Sequence, residues 1–96
     1  MSYAIRHDEQ AHRFETEVEG HVGVLDYSER GDAVSFDHVV VPDAIGGRGI
    51  AGALTRHALD HARAEGWRVV PRCPYVRAWI KRHPDYRDRI ADDTGE

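Results

Sequence analysis

Cys73 is the one cysteine of the 96-residue chain, and it stands in V-V-P-R-C-P-Y, residues 69–75. A thiol between two prolines is either a nucleophile able to take up an acyl group or a small apolar residue filling a gap. The segment alone does not choose between them. The second candidate is V-P-D-A-I-G-G-R-G-I-A-G-A-L, residues 41–54. Gly46, Gly47 and Gly49 let the backbone turn tightly and bring its N–H groups close to a ligand. The first N–H groups of a helix starting here have no intrahelical partner and sit at the positive end of its dipole. With Arg48 as a fixed cation, the stretch suits a phosphate or pyrophosphate. It is not a Walker A loop, which needs Gly-Lys followed by Ser or Thr. It is not a Rossmann fingerprint either, because strands precede it where an all-parallel unit would begin. His57 and His61 have the spacing of a helical metal pair but lack acidic or cysteine partners, so they read as surface histidines and no metal site is expected.

The elements that must position these residues follow from periodicity. Tyr3 to Arg6 reads as a short strand. R-F-E-T-E-V alternates Phe14, Thr16 and Val18 against Glu15 and Glu17, the period of a half-buried strand. His21–Tyr27 is a second run after a turn at Gly20, and S-E-R-G-D is a loop with Gly31 at a hairpin tip. Ala33–Val41 is the longest strand signal, ended by Pro42. Its alternation puts His38 on one face with Val34, Phe36 and Val40. From Arg48 to Glu65, Ile50, Leu54, Ala58 and Ala62 recur every four residues, an amphipathic helix stopped by Gly66. Arg68–Pro71 is a short strand. Pro74 opens a second helix, which stops before Pro84. On that helix Tyr75 and Trp79 share a face, and Arg77, Lys81 and Arg82 form a basic side. The order predicts an α+β domain with a mixed sheet: an antiparallel meander, then strand-helix-strand-helix.

Length and composition bound the rest. Residues 1–90 fit one domain, and the acidic stretch 91–96 is expected to fray. Apolar residues make up 41% and charged residues 31%, a globular composition. The net charge of -4 argues against duplex nucleic acid as a partner. No apolar run approaches the roughly 20 residues of a bilayer span, so no membrane role is expected. One cysteine forms no internal disulfide, which makes a cytoplasmic setting the default.

Taken together, the meander, P-x-x-x-G-G-R-G-I-A-x-A-L and C-P-Y-V-x-x-W-I-K-R-H-P-x-Y resemble the GNAT acetyltransferase superfamily, and more narrowly its small YjdJ-type, minimal-domain branch. The resemblance spans residues 3 to 90. It implies a GNAT-like sheet with splayed central strands and acetyl-CoA, or coenzyme A, as the small-molecule thioester bound. The superfamily's pyrophosphate pattern, Arg/Gln-x-x-Gly-x-Gly/Ala, falls on Gly46, Gly47, Arg48, Gly49, Ile50 and Ala51, with Ile45 just before it. Its first position departs, being Gly46 rather than Arg or Gln. The resemblance further implies that Val39, Val40 and Val41 pair with the pantetheine amides, that Tyr75 touches the cofactor, and that Arg82 or its neighbours reach the 3′-phosphate. It places Cys73 beside the acetyl group, as an acetyl acceptor, a proton donor to departing CoA, or a lining residue. His38 is a weaker candidate, as a base for the incoming amine. The tyrosine that commonly serves as general acid falls on Ile80, which donates no proton. An N-acetyltransferase acting on an amine is therefore expected, with a CoA-binding module of little or no turnover as the alternative. A structural domain that binds no CoA is the third reading. The acceptor amine and the oligomeric state stay open.

Overall fold

The computed structural model describes residues 3–91. Strands β1 (Arg6–Asp8), β2 (Arg13–Val18), β3 (His21–Arg30), β4 (Ala33–Val40) and β5 (Arg68–Pro71) form one sheet in that order. The pairs from β1 to β4 are antiparallel, and β4–β5 is parallel. A parallel pair needs a crossover, supplied here by helix α1 (Ile50–Glu65), and helix α2 (Pro74–Arg82) follows β5. The α+β order expected from the sequence is the order observed. The β2–β3 turn is Glu19-Gly20 with φ of 53° and 82°, the left-handed pair that a tight hairpin favours.

One residue inverts part of the expected pattern. Asp26 pairs with His38 and Tyr27 with Phe36, so Asp37 is the extra residue of a β-bulge. Alternation inferred from a period of two flips when one residue is inserted. Before the bulge, Val34 and Phe36 are buried; beyond it Val39 and Val41 pack on the core instead. His38 and Val40 face solvent on the helix-free side, Val40 with 54% of its surface exposed. The shared face expected for Phe36 and His38 is thereby corrected. The Ser28 and Ser35 hydroxyls donate to the Asp37 carboxylate at 2.8 and 2.5 Å and pin the bulge.

Helix α1 buries Ile50, Leu54, Ala58, Leu59 and Ala62 against β2 and β3. Gly66, at φ 72°, ends it: its N–H donates to the Arg63 carbonyl and the Trp67 N–H to that of Ala62. Gly23 lies beneath the first turn, where an added Cβ would come 3.1 Å from Ile50 Cγ2.

Several boundaries differ from expectation. The first strand starts at Arg6 rather than Tyr3, because the Thr16 hydroxyl takes the Ala4 carbonyl at 2.7 Å where a ladder bond would otherwise form. Ser28 to Arg30, expected as loop, extend β3, since the two-residue turn at Gly31-Asp32 lets them pair with Ala33 to Ser35. After α2 a 3-10 helix, Pro84–Arg89, docks on α1 through the Tyr86 hydroxyl, 2.6 Å from Asp60. Ala91, expected in the frayed tail, is buried with its N–H on the Val69 carbonyl at 2.8 Å; residues 92–96 lie outside the described residues. Among the described residues no helix is long and apolar enough to cross a membrane.

His61, expected at the surface, is half-buried. Its ring meets His7 edge-on at 4.6 Å, and His7 stacks on Phe14 at 4.2 Å with Nε2 2.6 Å from the Tyr27 hydroxyl. Burial, and then the proximity of His61, holds the His7 pKa below its ordinary 6.5.

Two outcomes are expected. Gly23→Val pushes a branched side chain into Ile50 and lowers stability by about 1–3 kcal/mol, read as a lower urea midpoint at unchanged slope. For His7, folding disfavours the protonated ring. Its contribution is whole above pH 6.5 and is lost as pH falls through the unfolded value toward the folded one. Urea midpoints should fall on acidification, and His7→Phe should make that fall shallower; an unchanged pH profile in the variant would refute the assignment.

Candidate functional site

The β4–β5 ladder joins Ala33–Phe36 to Arg68–Pro71, and one further bond follows it, from the Cys73 N–H to the Phe36 carbonyl at 3.0 Å. Beyond this point β4 runs on to Val40 with β3 as its sole strand partner, while the chain after Cys73 turns into α2. The result is a gap between residues 37–41 and the N-terminus of α2. Cys73 closes the gap's inner end as the N-cap residue of α2; it is 6% exposed and its side chain caps nothing. Its thiol belongs to the main core cluster, so burial and position at the gap hold together.

The basic side of α2 is partly engaged. The Arg77 guanidinium donates to the Pro71 and Arg72 carbonyls at 2.9 and 3.0 Å, fastening the end of β5 to the helix. Lys81 and Arg82 are exposed and have no ionic partner among the described residues. Arg82 lies eight residues past Pro74, about 12 Å along the helix. Ile80 is buried at 6% exposure, and His38 is on the other face of the sheet.

The glycine loop is built on a 3-10 turn, Asp43–Ile45. The Ile45 N–H donates to Pro42 and the Gly46 N–H to Asp43, each at 3.0 Å. The next bonded donor is Ala53, to the Gly49 carbonyl at 3.0 Å. The N–H groups of residues 47–52 therefore donate to no acceptor among the described residues. Gly47 and Gly49 have φ of 74° and 77°, with nothing within 4 Å of an added Cβ. Their need for glycine is conformational rather than spatial. This sharpens the expected residue set: Gly47, Arg48, Gly49, Ile50 and Ala51 offer free donors, whereas those of Ile45 and Gly46 are used. The side chains of Ile45 and Ile50 are buried anchors at 0% and 1% exposure.

Arg48, expected as a fixed cation at the loop, is held in an ion pair. Its guanidinium lies 3.0 Å from the Glu19 carboxylate at the β2–β3 turn. The hydrogen bond from Arg48 lowers the Glu19 pKa, and the same bond raises that of Arg48. Both groups are open to solvent, so the pair is weak and an incoming anion can compete for the arginine. The Tyr3 hydroxyl donates to the Arg48 carbonyl at 2.6 Å, fastening the loop from the other side.

Sequence reasoning did not select Gly52 and Arg56. Gly52 carries a free N–H, and an added Cβ there would come 3.4 Å from the Tyr75 hydroxyl and 3.5 Å from Trp79 Nε1. Arg56 lies over the Trp79 ring at 5.2 Å and reaches the Tyr86 hydroxyl at 3.3 Å. Gly49, Gly52, Arg56 and Trp79 line an open groove of about 470 Å³ that continues from the free N–H row. The signal was present in the sequence: Gly52 and Arg56 are one helical turn apart and share a face. Among the described residues no three acidic, histidine or cysteine side chains are arranged to hold a metal ion.

A sequence model of the GCN5-related N-acetyl-transferase family matches residues 13–89. The chain belongs to this family. Curated relatives agree: it is 34% identical over 91 residues to the mouse protein NATD1, covering 90% of this chain and 83% of that one. With human NATD1 it shares 33% identity over 91 residues, covering 90% and 80%. A solved structure of a GCN5-like protein from Staphylococcus aureus superposes with a TM-score of 0.72 at 20% identity, over 94% of this chain and 89% of that one, and shares the fold.

The loop's strain is separable from its space. Gly49→Ala should cost about 1–2 kcal/mol in urea unfolding because its φ is left-handed. Gly46→Ala, at φ -69° with its nearest neighbour 3.4 Å away, should be close to neutral. Equal costs at the two positions would show that conformation is not what selects Gly49.

Proposed function

We propose that this family member binds acetyl-CoA and transfers the acetyl group to an amine, and that it belongs to the small-domain YjdJ-type branch. The observation that carries the reading is the row of six consecutive N–H groups, residues 47–52, which have no acceptor among the described residues, next to a strand edge with no partner among them. An anion at a helix N-terminus satisfies such donors and is favoured by the helix dipole. A pyrophosphate therefore sits on residues 47–52, with Arg48 exchanging Glu19 for it. Backbone groups of Val39, Val40 and Val41 hold the pantetheine amides as an added strand would. The exposed Tyr75 edge and Arg56 flank the groove beyond, and Arg82 is the more distant cation for the 3′-phosphate.

The thioester supplies an activated acyl carbon, and Cys73 stands where the gap narrows. In one route the amine attacks that carbon directly, the departing CoA sulfur takes the proton of the thiol, and the proton shed by the acetylated nitrogen returns to the Cys73 thiolate. In the other, the Cys73 thiolate takes the acetyl group first, CoA leaves, and the amine then displaces the cysteine sulfur. His38, on the helix-free face, is positioned to take a proton only from an amine arriving on that side. The buried Ile80 supplies no acid, and this specific feature favours the second reading, a CoA-binding module with little turnover.

Calorimetry and kinetics separate the readings. Gly49→Glu places a carboxylate and a strained φ in the N–H row and should abolish CoA binding; retained affinity would sink the loop assignment. If Cys73 carries chemistry, Cys73→Ala should reduce turnover at least about tenfold, the low end of what a proton-transferring group contributes being larger still. Binding of CoA by the wild type with no acetylation across a panel of amines supports the module.

A further inference from the structure

Toward the other end of α1, where His61 lies eleven residues and about 16 Å past Ile50 by helix rise, a small open cup of about 230 Å³ lies among β1, β3 and the last turns of α1. Its walls are rings. Trp67 meets Tyr27 at 5.3 Å with a 53° tilt and His61 at 4.9 Å edge-on, and His12 meets Tyr27 at 5.2 Å. Its rim carries Glu9, Glu29 and Glu65, all exposed. Glu29 and Glu65 have no ionic partner among the described residues, and the contact of Glu9 is His7 Nδ1 at 4.0 Å. No lysine or arginine lines the cup.

The electrostatics agree with the composition. Burial raises the Tyr27 pKa most, and the carboxylates of Glu9, Glu29 and Asp8 raise it further, as a negative potential at the hydroxyl requires. Burial, and then His61, hold the His7 pKa below its ordinary value, and its Nε2 is occupied by the Tyr27 hydroxyl. Aromatic ring faces beside an acidic rim, with no lysine or arginine, are the surroundings that stabilise an organic cation. The volume is below the roughly 300 Å³ of pockets that hold whole ligands, so a headgroup fits rather than a nucleotide.

We propose that the cup formed by Tyr27, Trp67, His12 and His61 binds an organic ammonium headgroup, with Glu29 and Glu65 balancing its charge. The site is separate from the glycine loop, and neither depends on the other.

The test compares choline with its uncharged carbon isostere, 3,3-dimethylbutan-1-ol, titrated into the full chain without CoA and followed by two-dimensional NMR. Choline should shift the Trp67 indole N–H and the His12 and His61 ring signals saturably, and leave the amides of residues 47–52 in place. The alcohol should not shift them. Glu29→Gln with Glu65→Gln, both at exposed positions, should keep the fold by circular dichroism and weaken choline binding about threefold for each carboxylate. Equal shifts with the alcohol, no Trp67 shift at tens of millimolar choline, or undiminished affinity in the double variant would each overturn the assignment.

Discussion

The hydrogen bond from the Cys73 N–H to the Phe36 carbonyl is the last point at which β4 and the chain after β5 behave as one sheet. Directly after Phe36, the extra residue Asp37 bends β4 and increases its twist. The residues after Pro71 cannot follow the bent strand, and Pro74, with no N–H and a φ suited to a first helical turn, turns the chain into α2. An edge of β4 is left unpaired beyond Phe36, where β5, the last strand of the sheet, has ended. An unpaired edge is normally a liability, because any extended segment can add to it. Here it is short, flanked by a helix N-terminus and backed by the core, which restricts what can add to an extended chain reaching in from the glycine loop.

The loop itself is preorganised from three sides. Ile45 and Ile50 anchor both ends in the core, Tyr3 holds the Arg48 carbonyl, and Glu19 holds the Arg48 side chain. Six N–H groups with no acceptor among the described residues are therefore held in place by these contacts, so an anion bound there would cost little conformational entropy. Residues 47–49 are exposed, so water can satisfy their N–H groups, whereas a fully buried row of unpaired N–H groups would be costly. The glycines divide into two kinds by the same reasoning. Gly47 and Gly49 are demanded by left-handed φ, whereas Gly23 and Gly52 are demanded by the approach of Ile50 on one side and of Tyr75 and Trp79 on the other.

Element order was legible because most elements carried a clear apolar period. The four-residue recurrence from Ile50 to Ala62 gave α1 nearly to the residue, with Gly66 and Pro74 marking a stop and a start that depend on local chemistry alone. The glycine loop was legible for the same reason: strand, turn and helix signals abut. What failed was everything set by partners distant in sequence. Nothing local distinguishes Asp37 as a bulge, since the two serines that pin it are nine residues before and two residues before it, and only pairing shows their convergence. The pairing of Arg48 with Glu19 spans 29 residues. His61 looked like a surface residue on its own helix, and became half-buried because β1 brings His7 over it. The 3-10 helix after Pro84 escaped notice because such turns have no apolar period to read.

The bulge also bears on how the two titratable candidates relate. Without it, His38 would share the helix-covered face with Phe36, and the thiol and the imidazole would lie on the same side of the sheet. With it, the Cys73 thiol packs in the core under the helices, and His38 emerges on the helix-free face beside Asp37. Cys73 lies at the inner end of the gap and His38 on the strand that borders it, on opposite faces of the sheet. The gap is thus more than a slot for an extended chain. It is bordered by residues of both faces of the sheet, and the inserted Asp37 is what sets His38 and the thiol on opposite ones.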